Sequence, residues 1–221
     1  MKSLVSKLHS LFNKKEKFTF PFDKSKLPKN GIYIIFEKGE YFENMNRIVR
    51  VGTHTGENQL RSRLIQHFVK ENKNRSIFRK NIGRCILNIE NKSYLDSWEL
   101  DVTPKKGRED KLKKINNELE KILENRISQY IQNNLSFCVF EVNTKEERLF
   151  WESKIISTLS NAAQSGEIKP SENWLGNKSP KDKIRASGLW QVNELYKESL
   201  TNTEFDKLST FVKWIVGLKI L

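Results

Sequence analysis

Arg63 and His67 are the side chains of this chain whose types and spacing could do chemistry together, and Tyr33 and Glu152 carry groups that could act beside them. Arg63 and His67 stand one helical turn apart, so a helix would put both on one face. A guanidinium offers a planar fork of donors to phosphate oxygens, a task for which lysine is a poorer geometric match. An imidazole accepts a proton in the neutral range, and His67 is one candidate for that role; His54, in the Thr53-His54-Thr55 turn, is another. Tyr33 could lie beside an attacking water. A phenol, with an ordinary pKa of about 10, serves as a base near neutrality only where cations or a metal favour the phenolate. Arg50, Arg61 and Arg63 could supply that field. Glu152 is a hard oxygen donor for a divalent ion, although its segment alone reads as readily as a solvent-facing helix surface. A nucleophilic water, a base and positive charge at the developing anion are what phosphodiester hydrolysis requires.

These residues need particular elements to position them. Gly31 to Phe36 is rich in β-branched and aromatic residues and predicts a strand. Arg47 to Gly52 alternates cationic and apolar residues and predicts a second strand, antiparallel to the first, with Glu37 to Asn46 folding back between them. Thr53 to Gln59 has turn composition, and from Leu60 the positions Leu64 and Phe68 recur at helical spacing. Ser76 to Leu87 predicts a helix with Phe78 and Ile82 inward, leaving Arg79, Lys80 and Arg84 for solvent or phosphate. After turns with Trp98 and Pro104, Arg108 to Asn133 predicts one long charged helix whose apolar stripe is Ile115, Leu119, Ile122, Leu123, Ile127 and Ile131. Leu135 to Val142 is the third strand. Thr144 is a plausible N-cap for the next helix, in which Leu149, Ile155, Ile156 and Leu159 supply the buried surface.

The ordered series Gly31-Ile32-Tyr33, Val51-Gly52, then Arg63 with His67, resembles the GIY-YIG nuclease family, named for its first two motifs. One departure is visible: Arg50 stands where the family usually has the tyrosine of its second motif. The resemblance covers roughly residues 30–87 and 135–177. It implies a small central three-stranded sheet flanked by helices, an α/β catalytic domain at 30–177 with a helical insertion at 88–134. It also implies a metal-binding glutamate on the helix after the third strand, in a Glu-x-x-x-Ile setting that Glu152 to Ile156 matches. A late site asparagine is expected too, with Asn173 the leading candidate and Asn161 and Asn177 the alternatives. The implied activity is metal-dependent cleavage of duplex or branched DNA with Mg²⁺, Mn²⁺ being a possible substitute. Arg50, His54, Arg61, Arg79, Lys80 and Arg84 are candidate nucleic-acid contacts. A nucleic-acid-binding protein that has lost catalysis is the alternative, and Arg50 is its best support.

Composition bounds these readings. The 221 residues suffice for one sizeable core with elaborations. Residues 1–30 carry eight lysines against two carboxylates, and 47–90 carry ten cations against three. The resulting +6 and +7 account for the whole net charge of +13 and suit a polyphosphate partner. The basic leading segment 1–29 has Leu4, Leu8, Leu11 and Phe12 along one helix face; it could dock on the body, lie on DNA or, less readily, meet a membrane surface. The segment 178–221, through Ile184, Leu189, Trp190 and a helix from Glu204 to Leu218, matches no catalytic motif and reads as a packing extension. Cys85 and Cys138 read as reduced core thiols, without disulfide or zinc-ligand spacing. Neither a signal-peptide core nor a membrane span is legible, so a cytoplasmic setting is expected. A homo-oligomer is compatible with the sequence but nothing in it indicates one.

Overall fold

The computed structural model describes residues 2–217. Ser3 caps helix α1 (Leu4–Asn13) by accepting from the Ser6 N–H at 3.1 Å, and Val5, Leu8, Leu11 and Phe12 are its buried apolar residues. Of the three placements open to the leading segment, it takes the first and docks on the body. Strand β1 (Phe18–Thr19) follows, then β2 (Ile32–Phe42) and β3 (Met45–Gly52). Glu43 and Asn44, both at positive φ, close a tight hairpin, so the first strand runs well past Phe36. Strand β4 (Leu135–Phe140) pairs with the other side of β2, giving the order β1-β4-β2-β3 with every pair antiparallel. The sheet therefore has four strands where three were expected. The extra one is two residues long, too short to show a period in sequence, and pairs Phe18 with Phe137 and Thr19 with Ser136.

The central strand explains the unbroken apolar run of its sequence, because both of its faces are covered. Ile32, Ile34 and Phe36 enter one core with α1 and with helices α7 (Lys145–Gln164) and α9 (Asn202–Gly217). Tyr33 and Ile35 enter a second core with helices α2 (Leu60–Phe68), α3 (Ile77–Glu90) and α6 (Asn117–Asn134). Short helices α4 (Leu95–Glu99), α5 (Arg108–Leu112) and α8 (Asp182–Ser187) complete the described α-helices. Position 218, the expected end of the last helix, lies outside the described residues.

Residues 88–134 are built into the second core rather than appended to it. The single helix expected over 108–133 is two, because the Asn116 side chain accepts from the Leu119 N–H at 3.0 Å and starts α6 afresh. Leu123, Ile127 and Ile131 then face inward while Ile122 is exposed. Leu149 is likewise exposed, and Trp151 takes its expected place in the core. Trp98 is buried across Gly83, where a Cβ would come within 2.4 Å of the ring. Cys85 and Cys138 are free and buried, and burial pushes each thiol up to about 12. No helix among the described residues is long and apolar enough to cross a membrane.

The expectation that Arg79, Lys80 and Arg84 face solvent is corrected. All three are buried in ion pairs with the 88–134 segment. Arg79 donates to Glu124 Oε2 at 2.8 Å through Nε, to Ser128 Oγ at 2.8 Å and to the His67 carbonyl at 3.2 Å. Arg84 clasps Glu99 through Nε and Nη2 at 2.5 and 2.6 Å, and Lys80 donates to the Glu99 carbonyl at 2.7 Å. Removing one partner of a fully buried pair leaves an uncompensated charge, so Arg79→Ala should destabilise the fold by about 3–5 kcal/mol. Urea denaturation checks this; a variant as stable as the parent would show that the pair contributes nothing.

Candidate active site

Tyr33 faces Gly52 across the β2–β3 register, and its ring lies over that glycine. A Cβ at position 52 would sit 2.2 Å from the phenol oxygen. Glycine is thus required here by close approach, and Gly52→Ala should displace the ring at a cost of about 1–3 kcal/mol. A denaturation midpoint equal to the parent's would refute that steric account.

The Tyr33 hydroxyl lies 2.8 Å from His67 Nε2, and His67 Nδ1 lies 2.7 Å from Ser76 Oγ, the N-cap of α3. Burial holds the His67 pKa well below its ordinary value, and the guanidinium groups of Arg50, Arg63 and Arg79 act in the same direction. His67 is therefore neutral at pH 7. With its proton on Nδ1, the ring donates to Ser76 and its Nε2 accepts from Tyr33. A continuous row of hydroxyl, imidazole and hydroxyl results.

Gly52 is followed by Thr53, whose N–H donates to Glu152 Oε1 at 3.0 Å. Phenol and carboxylate are thus held by consecutive residues at the end of β3. Burial pushes Glu152 up to about 7; Arg50, the Thr53 N–H and Arg63 pull against that shift, while Glu194 adds to it. Arg148, on the same face of α7 one turn earlier, positions this corner. It is buried and donates to the carbonyls of Asn143 at 2.7 Å and His54 at 3.3 Å, tying the 53–56 loop to the start of α7.

Arg63 is half-buried, donating through Nη1 to Gln66 Oε1 at 3.2 Å and to the Arg75 carbonyl at 3.0 Å. It lines a polar cleft of about 270 Å³ together with Thr53, His54, Thr55, Gln59, Ser62 and Gln66. Arg50 is buried on the same side. It donates to the Trp190 carbonyl, lies 5.0 Å from the Phe78 ring centre, and leaves its Nε without a partner among the described residues. Its charge acts on both His67 and Glu152.

The fold thus gathers Tyr33, Arg50, Arg63, His67 and Glu152 into one region. Other candidates fall elsewhere. His54 Nε2 accepts from the Gly31 N–H at 3.3 Å and Nδ1 donates to the Gly56 carbonyl at 2.6 Å, so neither ring nitrogen is free to take a proton from water. Arg61 turns back to the Leu27 carbonyl at 2.8 Å and braces the segment before β2. Asn173 is exposed in a loop whose neighbours Ser171 and Trp174 bind Glu40 and Glu37, toward the opposite end of β2 from Tyr33. Asn177 closes that same loop through the Ser171 carbonyl at 2.8 Å, and Asn161 binds the Lys197 carbonyl at 2.9 Å, well down α7 from Glu152.

Residues that the sequence reading missed come from the last segment. Trp190 N–H donates to the Val49 carbonyl at 2.8 Å, and Gln191 Oε1 accepts from the Val51 N–H at 2.9 Å, covering the outer edge of β3. Gln191 is thereby the amide side chain next to this corner, two positions along the strand edge from the Thr53–Glu152 contact. No local pattern marks it. Ser76 could have been found as a cap before an apolar run, but its bond to His67 depends on the packing of α3 on α2.

Among the described residues, no group of three or more His, Cys, Asp and Glu could hold a metal ion. Glu152 has one oxygen on Thr53 and no hydrogen bond to the other among the described residues. Such a donor set fits a hard ion that takes most of its ligands from water and phosphate oxygens, as Mg²⁺ does, and not a structural zinc.

No curated protein and no solved structure matches the chain. A family model described as a GIY-YIG domain matches residues 1–216, taking in the leading helix, the 88–134 segment and the strap over β3 as well as the motif residues. With the match extending over nearly all of its length, the chain belongs to the GIY-YIG nuclease family.

Proposed function

We propose that this protein is a metal-dependent endonuclease that hydrolyses DNA phosphodiester bonds. The observation that carries the reading is the Tyr33–His67 pair held one residue from the Thr53–Glu152 contact. Tyr33 takes a proton from the attacking water while its own passes to His67 Nε2; burial and the neighbouring guanidinium groups oppose that imidazolium, so the transfer depends on the negative charge growing at the phosphate to offset it. Ser76 fixes the ring for that transfer from its far side. Arg63, oriented by Gln66 and the Arg75 carbonyl, keeps further donors for the phosphate as its charge grows. Glu152 would hold Mg²⁺, which when bound supplies Lewis acidity at the leaving oxygen. Arg50 adds fixed positive charge from within the protein, where the low dielectric strengthens it.

DNA would follow a rim different from the one expected in sequence. Lys24, Lys26 and Lys29 are exposed on the segment bound to the start of α2, and Lys70 and Arg75 are exposed just beyond its end. With the three α3 cations withdrawn into ion pairs, these five join Arg63 as the phosphate contacts of this proposal. The logarithm of the binding constant should then fall against the logarithm of salt with a slope of about −5 to −6, and triple replacement of the three lysines by alanine should remove about 2–3 of that. The decisive assay incubates the protein with linear, nicked and branched DNA and with RNA, in Mg²⁺, Mn²⁺ or chelator. DNA cutting that stops with chelator is expected. Tight binding without cutting under any of these conditions would instead favour a nucleic-acid-binding protein on this scaffold.

A further inference from the structure

The cleft beside Arg63 has a lining that phosphate binding does not explain. Gln59, Ser62 and Gln66 come from one side of α2 and its leading residue, and all carry uncharged hydrogen-bonding groups into the same cleft. An apolar lining would suit stacking and a cationic one would suit a second phosphate; this one suits neither. The groups in it are also sorted by use. Thr53 and both nitrogens of His54 are spent on the backbone of the 31–56 corner. Gln66 spends its oxygen on Arg63, and its Nε2 has no partner among the described residues. The Gln59 amide lies across Gly56, where a Cβ would come within 2.5 Å of its Nε2, so the glycine is what lets that amide lie over the loop.

We propose that this cleft is a base-reading subsite that takes the nucleotide next to the cleaved phosphate and selects adenine, an inference that rests on the nuclease reading for its position. Its volume of about 270 Å³ lies just below the roughly 300–1,000 Å³ of ordinary ligand pockets, which suits one nucleotide rather than a stretch of duplex. A glutamine amide presents one donor and one acceptor side by side, the complement of adenine N7 and its N6 amino group. Gln59 offers both groups, Gln66 contributes its free N–H donors, and Arg63 between them fixes the neighbouring phosphate. Base and phosphate are thereby held by one turn-and-helix element, so discrimination at the cleft acts directly on the placement of the reacting bond.

Two readouts test this. In the first, a duplex pool with randomised bases is cut in Mg²⁺ and the product ends are sequenced; adenine should be enriched about tenfold at one position flanking the cut. In the second, Glu152→Gln protein is titrated with (dA)₈, (dC)₈ and (dT)₈ in chelator, and (dA)₈ should bind about tenfold more tightly. Gln59→Leu should flatten both preferences. Gln66→Glu keeps an acceptor for Arg63 but replaces the free N–H donors by an acceptor, so it should move the preference toward cytosine and its N4 amino donor. Equal use of all bases by a protein that cuts DNA would overturn the subsite alone. Adenine preference in binding that responds to both substitutions, in a protein that never cuts, would keep the subsite and remove the hydrolytic reading. A preference unchanged by either substitution would overturn the assignment of these residues.

Discussion

Exchanging Glu152 for glutamine is expected to lower Mg²⁺-dependent DNA cleavage by about a hundredfold to a thousandfold or more while leaving the fold intact. The amide keeps an oxygen for the Thr53 N–H at the end of β3 and loses only the charge that would hold the ion. Stability offers a separate readout. Burial raises the Glu152 pKa from 4.5 to about 7, so between those values the folded protein binds more protons than the unfolded one. Stability in chelator must then fall as pH rises through that window, by about 3 kcal/mol in all, and stay level above it with respect to this group. The glutamine variant lacks this loss and should be the more stable protein at pH 8 in chelator. Added Mg²⁺ should stabilise the parent by mass action and leave the variant unchanged. Denaturation at pH 5 and pH 8, with and without Mg²⁺, measures all of this. A variant that cuts as fast as the parent, or that gains as much stability from Mg²⁺, would remove Glu152 from the mechanism.

Arg63→Ala is expected to lose a similar hundredfold to thousandfold in turnover, with only a few-fold loss in DNA binding. Its two acceptors, the Gln66 amide and the Arg75 carbonyl, are not deeply buried, so water replaces the missing guanidinium and the fold should tolerate the change. That separates it from Arg79→Ala, where the acceptors are enclosed. Arg63→Lys restores the charge but not the fork, and should recover binding much more than turnover. Single-turnover rates and equilibrium binding on one DNA substrate distinguish these outcomes; full turnover by the alanine variant would place the phosphate elsewhere.

The contrast between Arg63 and Arg79 also shows what can be read from a sequence. The pairing of Tyr33 with His67 depends on a strand, a turn and one helix in close succession, and each announces itself by local pattern. The burial of Arg79, Lys80 and Arg84 depends on Glu124 and Glu99, carboxylates reached only after the chain has turned back from a segment whose own charges nearly balance. Local periodicity assigns a cation to solvent by default, because it cannot see a partner supplied from elsewhere. Asn173 lies away from the Tyr33 corner for the same reason. Its loop has the right composition, but Glu37 and Glu40 draw Trp174 and Ser171 toward the far end of β2. Gln191 was invisible from the opposite side: it reaches β3 by a side-chain bond to a strand edge, an arrangement with no period to detect.

The position of β2 between β3 and β4 has a consequence for how the chain is made. Its hairpin partner emerges from the ribosome directly after it, but residues 135–140, which satisfy its other edge, follow some ninety residues later. At about 5–20 residues per second, β2 waits roughly 5–20 s with one row of amides and carbonyls unpaired. During that interval the nascent hairpin is an open template for any extended segment nearby. Helices α2 and α3 are synthesised within it and can shield the Tyr33 face, but neither can hydrogen-bond to the waiting edge. Completion of β4 therefore closes the sheet in one late step, and it also supplies the surface on which Phe18 and Thr19, made more than a hundred residues earlier, finally pair.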